Sequence, residues 1–175
     1  QCLVGSEMCI RDRPLTDLPV YFATALPQKT EEYIVKYFGD IRTKCSLPEF
    51  VGILLNFVQT SFDYQTDEEQ FGREKYFYPE EILAYPFCDC EDRAAFFARL
   101  VRNLTGLEVV GLDYPGHIAT AVCFGDVAVE GDAFTYKGHR YVVCDPTYIN
   151  ASVGMEMPQY KGTTPGIIEF KDEVR

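Results

Sequence analysis

The sequence predicts an α+β fold, with N-terminal helices packed on an antiparallel β-sheet. Up to Asn103, apolar residues recur at helical spacing, and after Leu107 they form short runs of branched and aromatic residues. Helices followed by strands, without alternation between the two, are typical of the α+β class. The 175 residues are 47% hydrophobic and 25% charged, which is enough to bury the core of one domain.

The domain organisation is predicted from where this periodicity begins. Residues 1–13 have neither helical nor strand periodicity, and residues 6–13 resemble translated adapter sequence at the ends of chains assembled from environmental sequence data. We therefore interpret residues 1–13 as a non-native leader and expect the native protein to continue upstream. Residues 14–45 are predicted to be the N-terminal helical segment of that truncated upstream region, and residues 46–175 the main domain.

Two helices are predicted in the first third of the chain. The first begins near Thr30, whose hydroxyl can cap it. Its apolar face is formed by Ile34, Tyr37, Phe38 and Ile41. The second helix follows Ser46, which is expected to form a capping box with Glu49. The side chains predicted to face the core from this second helix are Phe50, Ile53, Leu54, Phe57, Val58 and Phe62.

A third helix is predicted after a long polar connection. Residues 63–78 are acidic and aromatic and are expected to form a surface loop, followed by one helical turn over residues 79–83. The helix then runs from about Cys90 to Asn103, with Asp89 as its N-cap and Gly106 after its end. Its buried face is expected to consist of Ala94, Phe97, Leu100, Val101 and Leu104.

The rest of the chain is expected to form strands. They cover residues 107–113, 117–124, 127–130, 134–136 and 139–145. If residues 117–124 pair antiparallel with residues 138–145, His117 lies opposite Asp145 with their Cβ atoms about 5 Å apart.

Charge and hydropathy exclude two classes of partner. The net charge of −11 leaves no basic face for nucleic acid or for an anionic membrane surface. The longest apolar run, Val51–Val58, is interrupted by Asn56 and is too short to span a bilayer, so no membrane insertion is expected within this chain. The acidic runs at residues 66–69 and 171–173 are interpreted as solvated faces.

Cys90 is the most informative of the seven cysteines. It falls in the first turn of the third predicted helix, where backbone N–H groups and the helix dipole favour a thiolate and can bind an oxyanion. The carboxylates of Asp89, Glu91 and Asp92 oppose this effect, because they raise the pKa of the thiol. A cationic partner is therefore needed, and histidine is the usual one.

His117 is the candidate base among the two histidines. It opens a strand whose residues on the same face, Ala119 and Ala121, are small and leave room for a substrate. His139 stands in a turn beside basic residues and is expected to be exposed. Asp145 is the residue expected to orient the His117 ring, which gives nucleophile, base and orienting carboxylate in chain order.

At these residues the chain resembles the transglutaminase-like superfamily of papain-type cysteine enzymes. The resemblance extends over roughly residues 50–160. It depends on three motifs: Asp89-Cys90-Glu91-Asp92 at a helix start, Gly116-His117 at a strand start, and Val143-Cys144-Asp145-Pro146-Thr147 at a strand end. It implies a catalytic domain over residues 46–175, in which Cys90 is the nucleophile, His117 the base and Asp145 the orienting acid. It also implies a peptide or protein amide substrate, a thioester intermediate, and neither cofactor nor metal.

The chain departs from the family pattern at two places. Cys88 stands where the family usually has glycine, and Ile118 and Tyr141 or Val142 stand in regions where it often has tryptophan. Because the family's tryptophans belong to the acyl-acceptor cleft of the crosslinking enzymes, their absence favours hydrolysis by a peptidase or amidase over crosslinking. The candidate substrate-binding residues are Tyr85, Tyr114 and Tyr148.

Two alternatives stay open. The first is a transglutaminase-like domain that binds or scaffolds without turnover. The second is a metal-binding module that uses Cys88, Cys90 and His117, with Cys144 as a fourth ligand. Zinc sites more often have Cys-x-x-Cys spacing, and Cys144 is expected to point away from the face of Asp145 into the core. The remaining thiols are interpreted as packed side chains: Cys45, Cys88 and Cys123.

Overall fold

The structure, a computed structural model, describes residues 18–170. The predicted leader over residues 1–13 and the acidic run at 171–173 lie outside the described residues. The helices are α1 (Leu18–Ala23), α2 (Gln28–Arg42), α3 (Leu47–Ser61), α4 (Asp67–Phe71) and α5 (Cys90–Thr105). The strands are β1 (Asp63–Tyr64), β2 (Phe87–Cys88), β3 (Glu108–Tyr114), β4 (His117–Cys123), β5 (Ala133–Tyr136), β6 (His139–Cys144) and β7 (Gly166–Glu169). Short 3-10 turns occupy Glu81–Leu83 and Pro158–Tyr160.

The fold combines helices with an antiparallel five-stranded sheet, so the coarse fold-class prediction is confirmed. The strand order is β5-β6-β4-β3-β7, and every neighbouring pair is antiparallel. Helix α5 contacts α1, α2 and α3 among the helices, and β3 and β4 in the sheet. No helix within residues 18–170 combines the length and apolarity needed to cross a membrane.

The three predicted helices form, with corrections to their faces and caps. The capping box of α3 is present, and Ser46 N–H donates to Glu49 Oε2 at 2.8 Å. Helix α2 begins at Gln28 with Pro27 as N-cap, so Thr30 does not cap it. Two predicted core residues are exposed instead, Tyr37 at 69% and Ile53 at 38%. The predictions of Phe50, Leu54 and Val58 as buried residues of α3 are confirmed, and Val51, Leu55 and Gln59 are buried as well.

The connection over residues 63–78 is more ordered than the predicted loop. Strand β1 pairs in parallel with β2, with Tyr64 opposite Cys88. Helix α4 follows, because Thr66 and Glu69 form a capping box and Gly72 ends the helix in the left-handed region at φ 63°. The acidic run that starts this helix is therefore not wholly solvated, since Asp67 is only 3% exposed.

The sheet corrects two strand predictions. Residues 127–130 are not a strand, and in place of a neighbouring strand the Arg140 guanidinium donates to the carbonyl of Val129 at 2.7 Å and to that of Gly131. Strand β7 was not predicted, since its four residues follow a long irregular segment, and it pairs with β3. At Gly111 of β3, a Cβ atom would lie 3.0 Å from the Ile168 Cβ, so glycine permits this close approach.

The register between β4 and β6 differs from the predicted one by two residues. Thr120 lies opposite Cys144, and Cys123 lies opposite Tyr141, so His117 and Asp145 are not directly opposed. Because side chains alternate with a period of two along a strand, a shift of two keeps both on the same face. The predicted relationship between the two residues therefore survives an incorrect register.

The two faces of the sheet have different coverings. The helices cover one face, where a core cluster includes Ile118, Val122, Val142 and Cys144. On the opposite face, a second cluster contains the alternate residues Tyr114, Ala119, Ala121, Tyr141 and Val143, with partly buried Tyr136 and Tyr160 packed against it.

Candidate active site

Cys90 is the first residue of the central helix. Asp89 is its N-cap, and Asp89 and Asp92 form a reciprocal capping box that fixes the start of α5 at this point. The chain enters from β2, which is held in parallel pairing with β1. The cysteine side chain is only 5% exposed. The predicted helix start is therefore confirmed, and it places the thiol at the positive end of a helix of 16 residues.

His117 and Asp145 form a buried hydrogen-bonded pair. His117 Nε2 lies 2.8 Å from Asp145 Oδ2, and the two residues are 5% and 2% exposed. His117 opens β4 after a tight turn at Gly116, whose φ is 75°, and Asp145 directly follows β6. Since Nε2 is engaged with the carboxylate, Nδ1 is the ring nitrogen outside this contact.

The carboxylate of Asp145 is held by its own chain. Its Oδ1 accepts hydrogen bonds from the backbone N–H groups of Thr147 at 2.9 Å and Tyr148 at 3.1 Å. This is a local turn in which an aspartate side chain binds the next amides. The turn leaves Oδ2 directed at His117, so the orientation of the carboxylate is set independently of the imidazole.

Gln59 of α3 fixes the loop that carries Asp145. Its Nε2 donates to three carbonyl oxygens, those of Asp145 at 3.0 Å, Tyr148 at 2.9 Å and Ala151 at 3.1 Å. The side chain is only 2% exposed. Sequence reasoning did not identify Gln59; its polar side chain within an otherwise apolar helical stripe was the available signal.

The thiol of Cys90 has a different hydrogen-bond partner from the predicted one. Its Sγ donates to Glu91 Oε2 at 3.1 Å, and no hydrogen bond joins it to the His117 ring in the described part of the chain. The backbone N–H of Ile118, the residue after His117, hydrogen-bonds to the thiol. The structure thus joins His117 and Asp145 of the predicted triad directly. It places the Cys90 thiol beside Ile118, at the start of β4, which His117 opens.

The surroundings of Cys90 favour the neutral thiol. Burial raises its pKa well above the ordinary value, and the carboxylates of Glu91 and Asp89 raise it further. The Ile118 N–H acts in the opposite direction. The thiol is therefore protonated in this arrangement, as a cysteine among acidic side chains must be unless a cation balances them.

A group of four carboxylates adjoins the thiol. Carboxylate oxygens of Asp67, Glu74, Asp89 and Glu91 all lie within 4.8 Å of one another. Burial raises the pKa of Asp89 well above its ordinary value, and the charges of Glu91 and Asp92 add to that effect. Two members come from residues 63–78, so the prediction of a solvated acidic run at residues 66–69 fails at Asp67, whereas Glu68 and Glu69 are exposed.

This carboxylate group is the one candidate for cation binding among residues 18–170. The thiols of Cys88 and Cys144 and the ring of His117 do not come together with Cys90 as a metal-ligating group. Cys144 is buried on the helix-covered face, as expected. Cys88 accepts a hydrogen bond at 3.3 Å from Nε of Arg93, a residue only 1% exposed. The predicted metal-binding alternative therefore lacks its ligand geometry.

The three candidate substrate-binding tyrosines have different positions. Tyr114 lies opposite His117 in the β3–β4 ladder, and its hydroxyl donates to Glu156. Tyr148 is half-buried and gives its backbone N–H to Asp145, as described above. Tyr85 packs instead in an aromatic cluster, 4.6 Å from the Phe77 ring and beneath the ammonium group of Lys75.

Two further tyrosines near the site were not predicted. The Tyr160 ring lies parallel to the His117 ring, with centroids 5.4 Å apart and an interplanar angle of 5°. Tyr64, half-exposed on β1, has a pKa raised first by burial and then by Cys90 and Asp89 in their ionised forms. Neither position follows from local periodicity, because each depends on the pairing of segments distant in sequence.

Comparison of the sequence with protein-family models gives no match, and a search of the curated proteins gives none. The assignment of this site therefore depends on the chemistry of its residues.

Proposed function

We propose that this chain is a cysteine-nucleophile acyl-transfer enzyme of the transglutaminase-like type, acting on a peptide or protein amide. The observation that supports this most strongly is the buried 2.8 Å contact between His117 and Asp145 at the side of a helix-initiating cysteine. A nucleophile, a base and an orienting group arranged through three separate elements are the parts such chemistry needs.

The first half of the reaction forms a thioester. The Cys90 side chain rotates from Glu91 to His117, and Nδ1 takes its proton as sulfur attacks the carbonyl carbon of the amide. Backbone N–H groups in the first turn of α5 bind the oxyanion. When the tetrahedral intermediate collapses, His117 returns the proton to the leaving amine and the C–N bond breaks.

The second half releases the acyl group. His117 removes a proton from water, the resulting hydroxide attacks the thioester carbon, and the C–S bond breaks. The proton passes from His117 to the departing sulfur, which regenerates the thiol and frees a carboxylic acid. We favour water over an amine as acceptor, because the chain contains no tryptophan to build the acceptor cleft of crosslinking enzymes.

A non-catalytic binding domain is the second candidate, and the contact between Cys90 and Glu91 favours it. A thiol that is 5% exposed and donates to a carboxylate is a poor nucleophile as it stands. Under the first proposal, this is the resting arrangement, which substrate binding must change.

Covalent labelling with a mechanism-based probe tests the enzyme proposal. The probe is a peptide acyloxymethyl ketone, which alkylates an activated cysteine with loss of its carboxylate. Wild-type protein is expected to gain one adduct on Cys90, measured by intact mass and peptide mapping. Cys90→Ala and His117→Ala should gain none, whereas the matched thiol variant Cys123→Ala should label as wild type does.

The outcome that contradicts the proposal is equal labelling of wild type and Cys90→Ala, or no labelling of folded wild type. Circular dichroism establishes that each variant is folded. A folded, unlabelled wild-type protein would instead support the binding-domain candidate.

A further inference from the structure

The ring of Tyr160 stacks on the imidazole of His117, a contact that has no part in the proposed reaction steps. Its ring lies between two others, parallel to His117 at 5.4 Å and 5° and to Tyr114 at 4.6 Å and 24°. Separations of 4.5–7 Å between ring centroids are those of offset-stacked aromatic pairs. Because Tyr114 lies opposite His117 in the β3–β4 ladder, the sheet fixes both outer partners of the stack.

The segment that carries Tyr160 is tied down on both sides of the residue. On the N-terminal side, Glu156 accepts from the Tyr114 hydroxyl, and its N–H donates to Asp132 Oδ2 at 3.0 Å. On the C-terminal side, Lys161 Nζ lies 3.1 Å from the same Asp132 carboxylate. The 3-10 turn at Pro158–Tyr160 is therefore held against the face of the sheet that the helices do not cover.

The ring is also close to the reacting groups. Burial raises the pKa of the Tyr160 hydroxyl, and the neighbouring Cys90 and Asp145, in their ionised forms, raise it further. A tyrosine ring in this position blocks rotation of the imidazole away from Asp145. Its π-face also attracts the positive imidazolium that forms when the thiol proton is taken.

We infer that Tyr160 is a positioning residue, whose ring holds the His117 imidazole against Asp145 with Nδ1 directed towards the thiol. This inference rests on the proposed function for its catalytic consequence. The restraint of the imidazole by the Tyr160 ring can be tested whether or not the protein turns over a substrate. The aromatic ring of Tyr160, and not its hydroxyl, is responsible for this positioning. Among the described hydrogen bonds, none joins the Tyr160 hydroxyl to His117, whereas the two rings are stacked.

The first test measures the imidazole without catalysis. In the Cys90→Ala background, proton NMR follows the exchange with water of the hydrogen-bonded Nε2–H of His117. Tyr160→Leu is expected to speed this exchange by about tenfold or more, whereas Tyr160→Phe keeps the stack and leaves the exchange within about twofold. Tyr136→Leu is the matched control, because Tyr136 is also a partly buried tyrosine on the same face of the sheet.

The second test measures turnover in the protein with Cys90 intact. Tyr160→Leu should lower kcat by roughly 10–100-fold with little change in KM, since misplacement of a catalytic group costs about that much. Tyr160→Phe should restore kcat to within about threefold. Thermal unfolding separates this effect from loss of the fold.

An unchanged exchange rate in folded Tyr160→Leu overturns the inference, as does an equal loss in Tyr160→Phe. If Tyr160→Leu does not fold, Tyr160→Phe and Tyr160→Trp, which retain a ring, must preserve the slow exchange. Failure of the proposed function has a different signature, namely an inactive wild-type protein whose Nε2–H exchange still depends on Tyr160.

Discussion

Cys90 Sγ donates its hydrogen bond to Oε2 of Glu91, its neighbour in sequence, at 3.1 Å. The contact holds the thiol proton on sulfur, and the same carboxylate, after burial, contributes most to raising the pKa of the thiol. The protonation state of the Cys90 thiol therefore depends on burial first and then on the charge of this adjacent side chain.

Glu91→Gln should lower the pKa of the Cys90 thiol. The substitution removes a negative charge that raises this pKa, so a larger thiolate fraction is present at any pH below the wild-type value. The measurement is the rate of alkylation of Cys90 by iodoacetamide between pH 6 and 10, followed by peptide mapping. We expect the midpoint to move to lower pH and the rate at pH 8 to rise about tenfold.

Glu130→Gln is the control for this prediction, because Glu130 is exposed and belongs to the loop before β5. Its alkylation profile should match that of wild type. A Glu91→Gln profile unchanged or moved to higher pH would contradict the prediction.

Asp89→Asn should make the protein more stable at neutral and alkaline pH. Burial and the charges of Glu91 and Asp92 hold the pKa of Asp89 well above its unfolded value. Stability due to this group is thus fully present below the unfolded pKa and is lost as the pH rises through the folded pKa. Asparagine is an equally good N-cap, so α5 keeps its start.

Urea unfolding at pH 4, 6 and 8 checks this prediction. The free energy of unfolding of Asp89→Asn should exceed that of wild type by roughly 1–3 kcal/mol at pH 8, with a smaller difference at pH 4. Asp126→Asn, at an exposed position, should show no such pH-dependent gain. A constant difference across the three pH values would exclude the ionisation of Asp89 as the cause.

Asp145→Asn should impair turnover far more than stability. Asparagine Oδ1 can still accept from Thr147 and Tyr148, so the local turn persists. Its Nδ2 would donate to His117 Nε2, which places the ring proton on Nδ1, the atom needed as base. We expect kcat to fall on the order of 10³–10⁴-fold, with an unfolding midpoint close to that of wild type.

Asp145→Ala is the companion variant, since it removes both the turn and the orienting charge. It should lose stability as well as activity. Turnover by Asp145→Asn at the wild-type rate would show that the orientation of His117 does not depend on this carboxylate.

Gln59→Leu should destabilise the Asp145 loop. The substitution removes the side-chain donor that three carbonyl groups share, those of Asp145, Tyr148 and Ala151, and of these the Tyr148 carbonyl keeps the Ala151 N–H as a partner at 3.0 Å. Loss of roughly 2–4 kcal/mol of unfolding free energy is expected, measured by urea denaturation. Gln70→Leu is the control, because Gln70 makes one long contact of 3.5 Å, and it should cost less than about 1 kcal/mol.

The helix that carries Cys90 could be predicted because its signals are local. Asp89 and Asp92 form the capping box and Gly106 takes the left-handed conformation at φ 71°, all within one segment. The shared face of His117 and Asp145 was predictable for a related reason: strand periodicity tolerates a register error of two residues.

The parts that escaped prediction depend on contacts between distant segments. Helix α4 has local signals in its Thr66–Glu69 capping box and Gly72, which sequence reasoning missed, but its contribution to the carboxylate group requires residues 63–78 to fold back on α5, which no local pattern encodes. Tyr160 reaches His117 from an irregular segment, held there through Asp132. The exposure of Tyr37 likewise depends on which neighbours cover α2, since its spacing alone matches the buried Ile34 and Phe38.

The hydrogen bond from Cys90 to Glu91 also bears on how the site withstands oxidants. Peroxide attacks a thiolate rather than a thiol, and sulfenic acid is the first product of that attack. Under the proposed function, a sulfur that keeps its proton until a substrate displaces the contact is protected from this chemistry while it waits. The acidic surroundings that make the resting cysteine slow to react would therefore also prolong its chemical lifetime.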